Sequence, residues 1–458
     1  MMFLKTATLG CKVNQYETQF VREALGRVGY RDAAPGELAD LIVVNTCTVT
    51  AESDLKSRKL IRRLAKLNPH AEIVVMGCYA TRAQGVGNRG KEIGNRESKT
   101  LSPLPYSLSP QVVEVITDKR DIPAFLERRG VIDLPDGIAS FGLRHRAYVK
   151  VQDGCRVGCS YCIIPKVRPY LLSRPVGEVL DEIRRLVDSG YREIVLAGIH
   201  LGHYGLDLLQ VAARLLPSDR DFDTHIEQKH LLAGNLRLSQ LVERIVQLDG
   251  GFRLRVSSME AVEVPDELID LMRAFPKKLC SHLHLSMQSG SDEVLRNMRR
   301  RWLSEPFRDR CEQIKAAIDR VALTTDVIVG FPGETENQFV ETCDMVEQIG
   351  FSNVHVFPFS PREGTEAAAM PNQIPASEKE RRARHLMQLA KHLRTNYAAG
   401  QIGQTVQVLI ETRQNATLVG TSDRYLHTRL SASDLIHCGT LVDVVVTASE
   451  GEELMAIF

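Results

Sequence analysis

Charge of one sign is what this sequence most lacks. Its 458 residues carry 58 basic and 57 acidic side chains, a formal net charge of +1. Any contact with nucleic acid must then come from local basic patches, because no global field exists to attract it. Long apolar runs are missing too. Hydrophobic residues make up 43% of the chain, yet no run approaches the roughly 20 residues a membrane helix needs. The opening MMFLKTATLGCKVNQYE lacks the basic-then-apolar design of a secretory signal. The expectation is a cytoplasmic protein with no membrane partner. In that compartment its ten cysteines do not read as a disulfide framework.

What is present divides into about three domains at typical domain sizes. FLKTATLG, LIVVN (Leu41–Asn45) and EIVVMG (Glu72–Gly77) read as strands, separated by helices over Glu17–Val28 and up to Leu67. That β-α-β-α-β alternation predicts a parallel sheet with helices on its faces. Residues 85–110, rich in Gly, Ser, Pro and Asn, read as a flexible surface insertion. VVEVIT (Val112–Thr117) and a short helix near Phe125 follow, and Asp133–Ala139 reads as a linker. A second alternating block supplies AYVKVQ, EIVLAGI, RLRVSS, HLHLSM, LTTDVIVG and NVHVFPF, six βα-like units that suggest an open or partial (β/α) barrel. A polar insertion at 207–236 interrupts it. Ser377–Ala399 is a helical stretch that opens on a Ser-x-x-Glu capping-box pattern. TVQVLIE, ATLVGTS and LVDVVVTA then predict a small all-β barrel. The expected fold class is α/β: an N-terminal parallel-sheet domain (1–135), a central partial (β/α) barrel (141–375) and a C-terminal small β-barrel (396–458).

The cysteines are unevenly spread. Cys155, Cys159 and Cys162 lie in QDGCRVGCSYCIIPKVR, a Cys-x-x-x-Cys-x-x-Cys pattern. Three thiolates on one compact loop suit three irons of a [4Fe–4S] cluster and leave the fourth iron open for chemistry. Zinc usually takes four protein ligands, and no fourth Cys or His lies close by. The loop follows a strand, at the carboxyl mouth where such barrels keep their active sites. Cys11, Cys47 and Cys78 share no spacing, but each follows a predicted parallel strand, and ligands bind beyond the carboxyl ends of such strands. They read either as one converging site or as three ordinary buried cysteines. Cys280, Cys311, Cys343 and Cys438 read as core residues.

The form Cys-x-x-x-Cys-x-Tyr-Cys, with Tyr161 before the last cysteine, resembles the radical S-adenosylmethionine superfamily. LGCKVNQYE, NTCTVT and GCYA resemble the N-terminal domain of the methylthiotransferases within it. GIHLGHYG (Gly198–Gly205), RLRVSSMEAVEVP, LSMQSGSDEVLRNMRRRW, TTDVIVGFPGETENQF and FPFSPREGT match the same family. The resemblance covers nearly the whole chain apart from the two insertions. It implies two [4Fe–4S] clusters, one on Cys155, Cys159 and Cys162 and one on Cys11, Cys47 and Cys78, with S-adenosylmethionine as cofactor. All six cysteines would be metal ligands and catalytic. Asn14, Glu17 and Asn45 would orient the N-terminal cluster loops. Cofactor contacts are expected at Tyr161, Gly198, His200, Ser257, Ser258, Gln288, Val329 and Gly330. Each has a local alternative: turns for the glycines, caps for the serines, a buried hydrogen bond for Gln288. The subgroup it most resembles adds a methylthio group to C2 of N6-threonylcarbamoyladenosine at position 37 of transfer RNA. A radical released from the cofactor would remove the C2 hydrogen, which is not acidic. Such an enzyme also needs an external electron donor and a sulfur source. A sister enzyme acting on a protein side chain is the competing reading.

The expected nucleic-acid partner is the transfer-RNA anticodon stem-loop. KSRKLIRRLAK places Lys56, Arg58, Lys59, Arg62, Arg63 and Lys66 on the helix after Cys47, with no acidic residue among them. A solvated helix face is the alternative. Arg299–Arg301 and Arg362 are further candidates to reach phosphate or the cofactor. The terminal barrel resembles the TRAM domain, an RNA-binding module. Yet Gly400–Phe458 holds three arginines, no lysine and seven acidic residues, so contact is expected only through loops near Arg413, Arg424 and Arg429. RPYLLSRP lacks the glycine often seen after Arg168, while Ser173, Arg174 and Pro175 still match.

Overall fold

LIVVNT (Leu41–Thr46) is buried at every residue, the signature of a central strand covered on both faces. A computed structural model, which describes residues 2–83, 108–142, 144–208, 237–432 and 435–458, places it as β3 in the middle of a five-stranded parallel sheet. The order is β2-β1-β3-β4-β5, with β1 at Met2–Thr8, β2 at Tyr30–Asp32, β4 at Glu72–Gly77 and β5 at Val112–Val115. Helices α1 (Lys12–Arg27) and α2 (Ala51–Leu67) cover its two faces through separate apolar clusters. Helix α1 starts five residues before the expected Glu17. Asn14 and Glu17 are buried, so the first turn shows no apolar period although it faces inward. The expected linker is tied down: Ile138 is buried and its N–H donates to Glu182 Oε1 at 2.7 Å.

All six expected barrel strands form. They are β6 (Arg146–Lys150), β9 (Glu193–Ala197), β10 (Arg253–Val256) continued by β11 (Ser258–Met259), β12 (His282–Leu285), β13 (Ala322–Val329) and β14 (Asn353–Pro358). A short antiparallel pair, β7 (Gln152–Asp153) with β8 (Leu172–Ser173), sits at the mouth. The barrel ladders are parallel, and none joins β14 to β6 among the described residues. The barrel is therefore an open arc, and α1 packs along β6. The insertions expected at 85–110 and 207–236 lie outside the described residues, apart from 108–110 and 207–208.

The last region closes into a five-stranded barrel in the order β15-β16-β17-β19-β18. Its strands are β15 (Thr405–Gln414), β16 (Thr417–Ser422), β17 (His427–Ser431), β18 (Leu441–Glu450) and β19 (Glu453–Ile457). The helix before it spans Ala376–Ala399 and is preceded by Pro375 with no side-chain cap. The expected capping box is thus wrong: Ser377 sits inside the first turn, past the position where a hydroxyl could cap. Cys280, Cys311 and Cys343 are buried as expected, whereas Cys438 is exposed on the connection between β17 and β18. No helix among the described residues is long and apolar enough to cross a membrane.

Candidate active site

Parallel register brings the N-terminal cysteines together. Thr8 pairs with Asn45 and Thr46 with Gly77, so β1, β3 and β4 end on one line. Cys11, Cys47 and Cys78 follow those ends. Cys11 feels the charge of Cys78, and Cys47 that of both Cys78 and Cys11. Gly10 has φ +104°, and a Cβ there would lie 3.0 Å from Cys47 Cβ and 3.2 Å from its Sγ. A side chain at that position would fill the cradle between Cys11 and Cys47. Burial raises the pKa of all three thiols, and Arg168 pulls Cys11 and Cys78 back down.

The expected orienting residues surround this crevice. Asn14 Nδ2 donates to Leu9 O at 2.9 Å and Thr46 O at 3.0 Å, holding two of the cysteine loops together. Asn45 Nδ2 donates to Asn14 O at 2.9 Å. Glu17 accepts from Lys119, from Lys150 at 3.3 Å and from Arg168 at 3.1 Å. Arg168 was missed as a site residue by sequence reasoning. Its buried guanidinium donates from Nε to Cys78 Sγ at 3.4 Å, from Nη2 to Asn14 Oδ1 at 2.8 Å, and from Nη1 to Asp153. The only hint was its departure from the expected glycine pattern. Three cations (Lys119, Lys150, Arg168) thus face two carboxylates (Glu17, Asp153) beside three thiols. The surplus positive charge suits anionic sulfur ligands.

The central triad is local. Cys162 N–H donates to Cys159 O at 3.1 Å, and Val157 N–H to Cys155 Sγ at 3.4 Å. His200 Nδ1 lies 3.7 Å from Cys155 Sγ, while its Nε2 is 2.6 Å from Glu263 Oε2. Burial alone would lower the His200 pKa, but the bonds to Cys155 and Glu263 outweigh it and push it up to about 9. Arg300 Nη1 reaches Cys159 Sγ at 3.8 Å, and Glu260 and Ser286 O hold that guanidinium. Burial pushes the Cys162 thiol up to about 12. A half-buried thiol set with cationic or N–H donors fits an iron–sulfur centre, where metal replaces the proton.

The expected cofactor contacts all lie at the carboxyl side of the barrel, but they fall into three groups. Tyr161 and Gln288 line a cavity of about 250 Å³ with Cys162. Gln288 holds φ +70° there, rare for a non-glycine residue. Ser257 and Ser258 line an adjoining chamber of about 240 Å³, which shares Asp326 and Phe357 with the first. Gly198, His200, Val329 and Gly330 line neither. His200 contacts Cys155, Gly198 packs on Gln152, Val329 is core, and Gly330 backs onto Lys379. A larger cavity of about 880 Å³, near Arg237 and Glu267, touches none of the cysteines.

The expected RNA and phosphate contacts divide sharply. On α2, Lys56, Lys59, Arg62, Arg63 and Lys66 are exposed and Arg58 is half-buried; Lys56 pairs with Glu52 at 2.8 Å. The other arginines are engaged within the chain. Arg362 is buried and bonds Asp54 at 2.6 Å and Thr48 at 2.9 Å, joining the two α/β domains. Arg299, Arg300 and Arg301 pair with Glu366, Glu260 and Glu263. Arg424 is buried against Gln401, Arg429 pairs with Glu453 at 2.6 Å, and Arg413 donates to Ile436 O at 3.1 Å. On the terminal barrel all three arginines near the expected RNA-contact loops thus have partners within the chain, with Arg413 and Arg429 still exposed.

Comparisons with known proteins agree with this architecture. The radical SAM superfamily model matches residues 149–346, and the model of an uncharacterized protein family, UPF0004, matches residues 4–93. The threonylcarbamoyladenosine tRNA methylthiotransferase MtaB of Bacillus subtilis is 36% identical over 92% of this chain and 88% of its own. A tRNA-2-methylthio-N(6)-dimethylallyladenosine synthase of Mycobacterium marinum is 30% identical over 98% of this chain and 84% of its own. The solved radical S-adenosylmethionine methyltransferase TsrM of Kitasatospora setae aligns at 15% identity over 80% of this chain and 77% of that one, with TM-score 0.46. The radical SAM domain implies a [4Fe–4S] cluster and S-adenosylmethionine as cofactors. The chain belongs to the radical S-adenosylmethionine methylthiotransferase family.

Proposed function

We propose that this protein adds a methylthio group to C2 of N6-threonylcarbamoyladenosine at position 37 of transfer RNA. The observation that carries the reading is the pair of cysteine triads, each at the carboxyl edge of its own parallel sheet and each ringed by cationic or N–H donors. Cys155, Cys159 and Cys162 would hold one [4Fe–4S] cluster, and Cys11, Cys47 and Cys78 a second. When bound, these groups with S-adenosylmethionine supply a radical able to break a non-acidic C2–H bond and a sulfur to replace the hydrogen.

The chain's own residues do the rest. Arg300 and His200 orient the central sulfurs. Arg168 ties the crevice of the first domain to the mouth of the second by contacting both Cys78 and Asp153, and so would hold the two sites in one fixed arrangement. The cavity behind Tyr161 and Gln288 shelters reactive species from water. The exposed basic face of α2 offers phosphate contacts to an anticodon stem-loop. An external reductant and a sulfur source complete the partners, in a cytoplasmic setting.

Relatives named for threonylcarbamoyladenosine reach 36% identity and those named for dimethylallyladenosine reach 32%, so the prenylated nucleoside is the second reading. Mass spectrometry of digested transfer RNA from cells with and without the gene separates them. Loss of 2-methylthio-N6-threonylcarbamoyladenosine supports the proposal. Loss of the methylthiolated prenyl nucleoside instead transfers it to the second reading, and an unchanged profile removes the transfer-RNA assignment.

A further inference from the structure

The chamber beside the cluster cavity is polar in a way that the shared chemistry does not require. It lies between β6, β9, β10, β12, β13 and β14, with Lys12 at one side and Tyr425 of the terminal barrel at the other. Its strong cations are unequally matched. Arg255 pairs with Glu193 at 3.0 Å and Arg146 with Glu411 at 2.5 Å. Lys12, which opens α1 and lines the chamber, forms no ion pair among the described residues. His282 is buried, and its Nδ1 has no hydrogen-bond partner among the described residues. His284 lies 3.2 Å from Asp326. On β14, His355 and Phe357 are two residues apart, so they share one face, and both are exposed toward the opening.

We infer that this chamber is the specificity pocket for the N6 substituent of the target adenine, with Lys12 and His355 receiving a carboxylate. The inference rests on the substrate reading above and deepens it. The threonylcarbamoyl group ends in a carboxylate and a hydroxyl beside a polar carbamoyl. Lys12 and His355 face the carboxylate, and Ser257 and Ser258 supply donors and acceptors for the remaining polar atoms. Phe357 offers an apolar ring to the face of the base. Because Phe357 and Asp326 also border the cluster cavity, the base spans both spaces, with its C2 edge toward Cys162. A prenyl group would cover the Lys12 ammonium without pairing it. Discrimination therefore comes from polar groups left unsatisfied by the wrong substituent.

The test is binding of a synthetic transfer-RNA stem-loop that carries either N6-threonylcarbamoyladenosine or plain adenosine, followed by fluorescence anisotropy. One charge-assisted contact predicts that the wild type prefers the modified fragment by roughly 10- to 100-fold. Lys12→Met brings the ratio close to one, and Lys12→Arg keeps most of it. His355→Phe reduces it less, by about 3- to 10-fold, and carries the test if Lys12→Met does not fold. Iron content of Lys12→Met equal to wild type shows that the neighbouring Cys11 is undisturbed. A wild-type preference that survives Lys12→Met and His355→Phe unchanged overturns the pocket while leaving the substrate reading intact. A wild type with no preference overturns the pocket as well, and transfer RNA unchanged on loss of the gene shows that the substrate reading has fallen with it.

Discussion

The two cysteine triads solve the same problem with opposite economies of sequence. Cys155, Cys159 and Cys162 sit within eight residues; of their partners, His200 follows β9, and Arg300 lies between the helices Asp292–Asn297 and Ser304–Ala317 of the same domain. Cys11, Cys47 and Cys78 span most of a domain and meet only because three parallel strands end in register. Their cationic partner Arg168 comes from the other domain. The central triad takes these side-chain partners from its own domain, although Val49 and Thr50 of the first domain line the cavity beside it. The N-terminal site spans two domains, since Arg168 bonds Cys78, Glu17 and Asn14 across the boundary.

The strongest way to break that comparison is to remove each triad in turn. Cys155→Ala, Cys159→Ala and Cys162→Ala together abolish S-adenosylmethionine cleavage and leave one cluster by iron count. Cys11→Ala, Cys47→Ala and Cys78→Ala together leave cleavage and abolish sulfur insertion. Two clusters persisting in the second variant sink the N-terminal assignment.

Next comes Arg168→Met. It leaves Glu17 and Asp153 short of a buried cation, which costs roughly 3–5 kcal/mol. Denaturant unfolding should show that loss, with iron lost from the N-terminal site and retained by the central one. Equal loss from both sites would erase the distinction drawn above. Lys is a poor substitute, because a point charge cannot reach Cys78, Asn14 and Asp153 at once.

A comparable loss is expected at the other domain boundary. Glu193 is fully buried, and burial would raise its pKa. Arg255, Arg253 and Arg146 overcome that and hold it well below the usual carboxylate range. A depressed carboxylate stabilises the fold above its unfolded pKa of about 4.3, and the benefit disappears as pH falls through the folded value. Glu193→Gln should therefore cost about 3–5 kcal/mol near neutrality. The gap to wild type should narrow only in strongly acid solution, as chemical denaturation across pH would reveal. A constant gap from pH 7 to strong acid contradicts this.

The smallest effect belongs to α2. Arg62→Glu and Arg63→Glu should weaken transfer-RNA binding and lower the salt slope by about 1 for each phosphate contact removed. Affinity indifferent to both changes identifies that face as merely solvated.

Legibility in the sequence followed locality. The six barrel strands and the central triad were readable because each depends on a few consecutive residues. Two short barrel strands, His427–Ser431 and Glu453–Ile457, were not assigned, since they complete a closed sheet whose pairing is non-local. Helix α1 was read too short because Asn14 and Glu17 are polar residues turned inward. Arg168, Arg362 and Arg424 were opaque for one shared reason: a single arginine carries no signal of the distant acceptor that will bury it. The serine pattern at 377–380 misled because Pro375 had already set the start of the helix.

The turn at Ser422–Tyr425 has a consequence for how this lineage could exchange parts. Arg255 donates to Ser422 O at 3.0 Å and Asp423 O at 2.9 Å, and the Tyr425 ring lies 4.9 Å from that guanidinium and 4.8 Å from His282. The terminal barrel therefore contributes a wall of the chamber as well as a surface of its own. Such a module is not freely transplantable: a chimera with a relative's terminal barrel inherits that relative's chamber wall. On the pocket inferred above, shuffling at this boundary is expected to change which nucleoside is accepted.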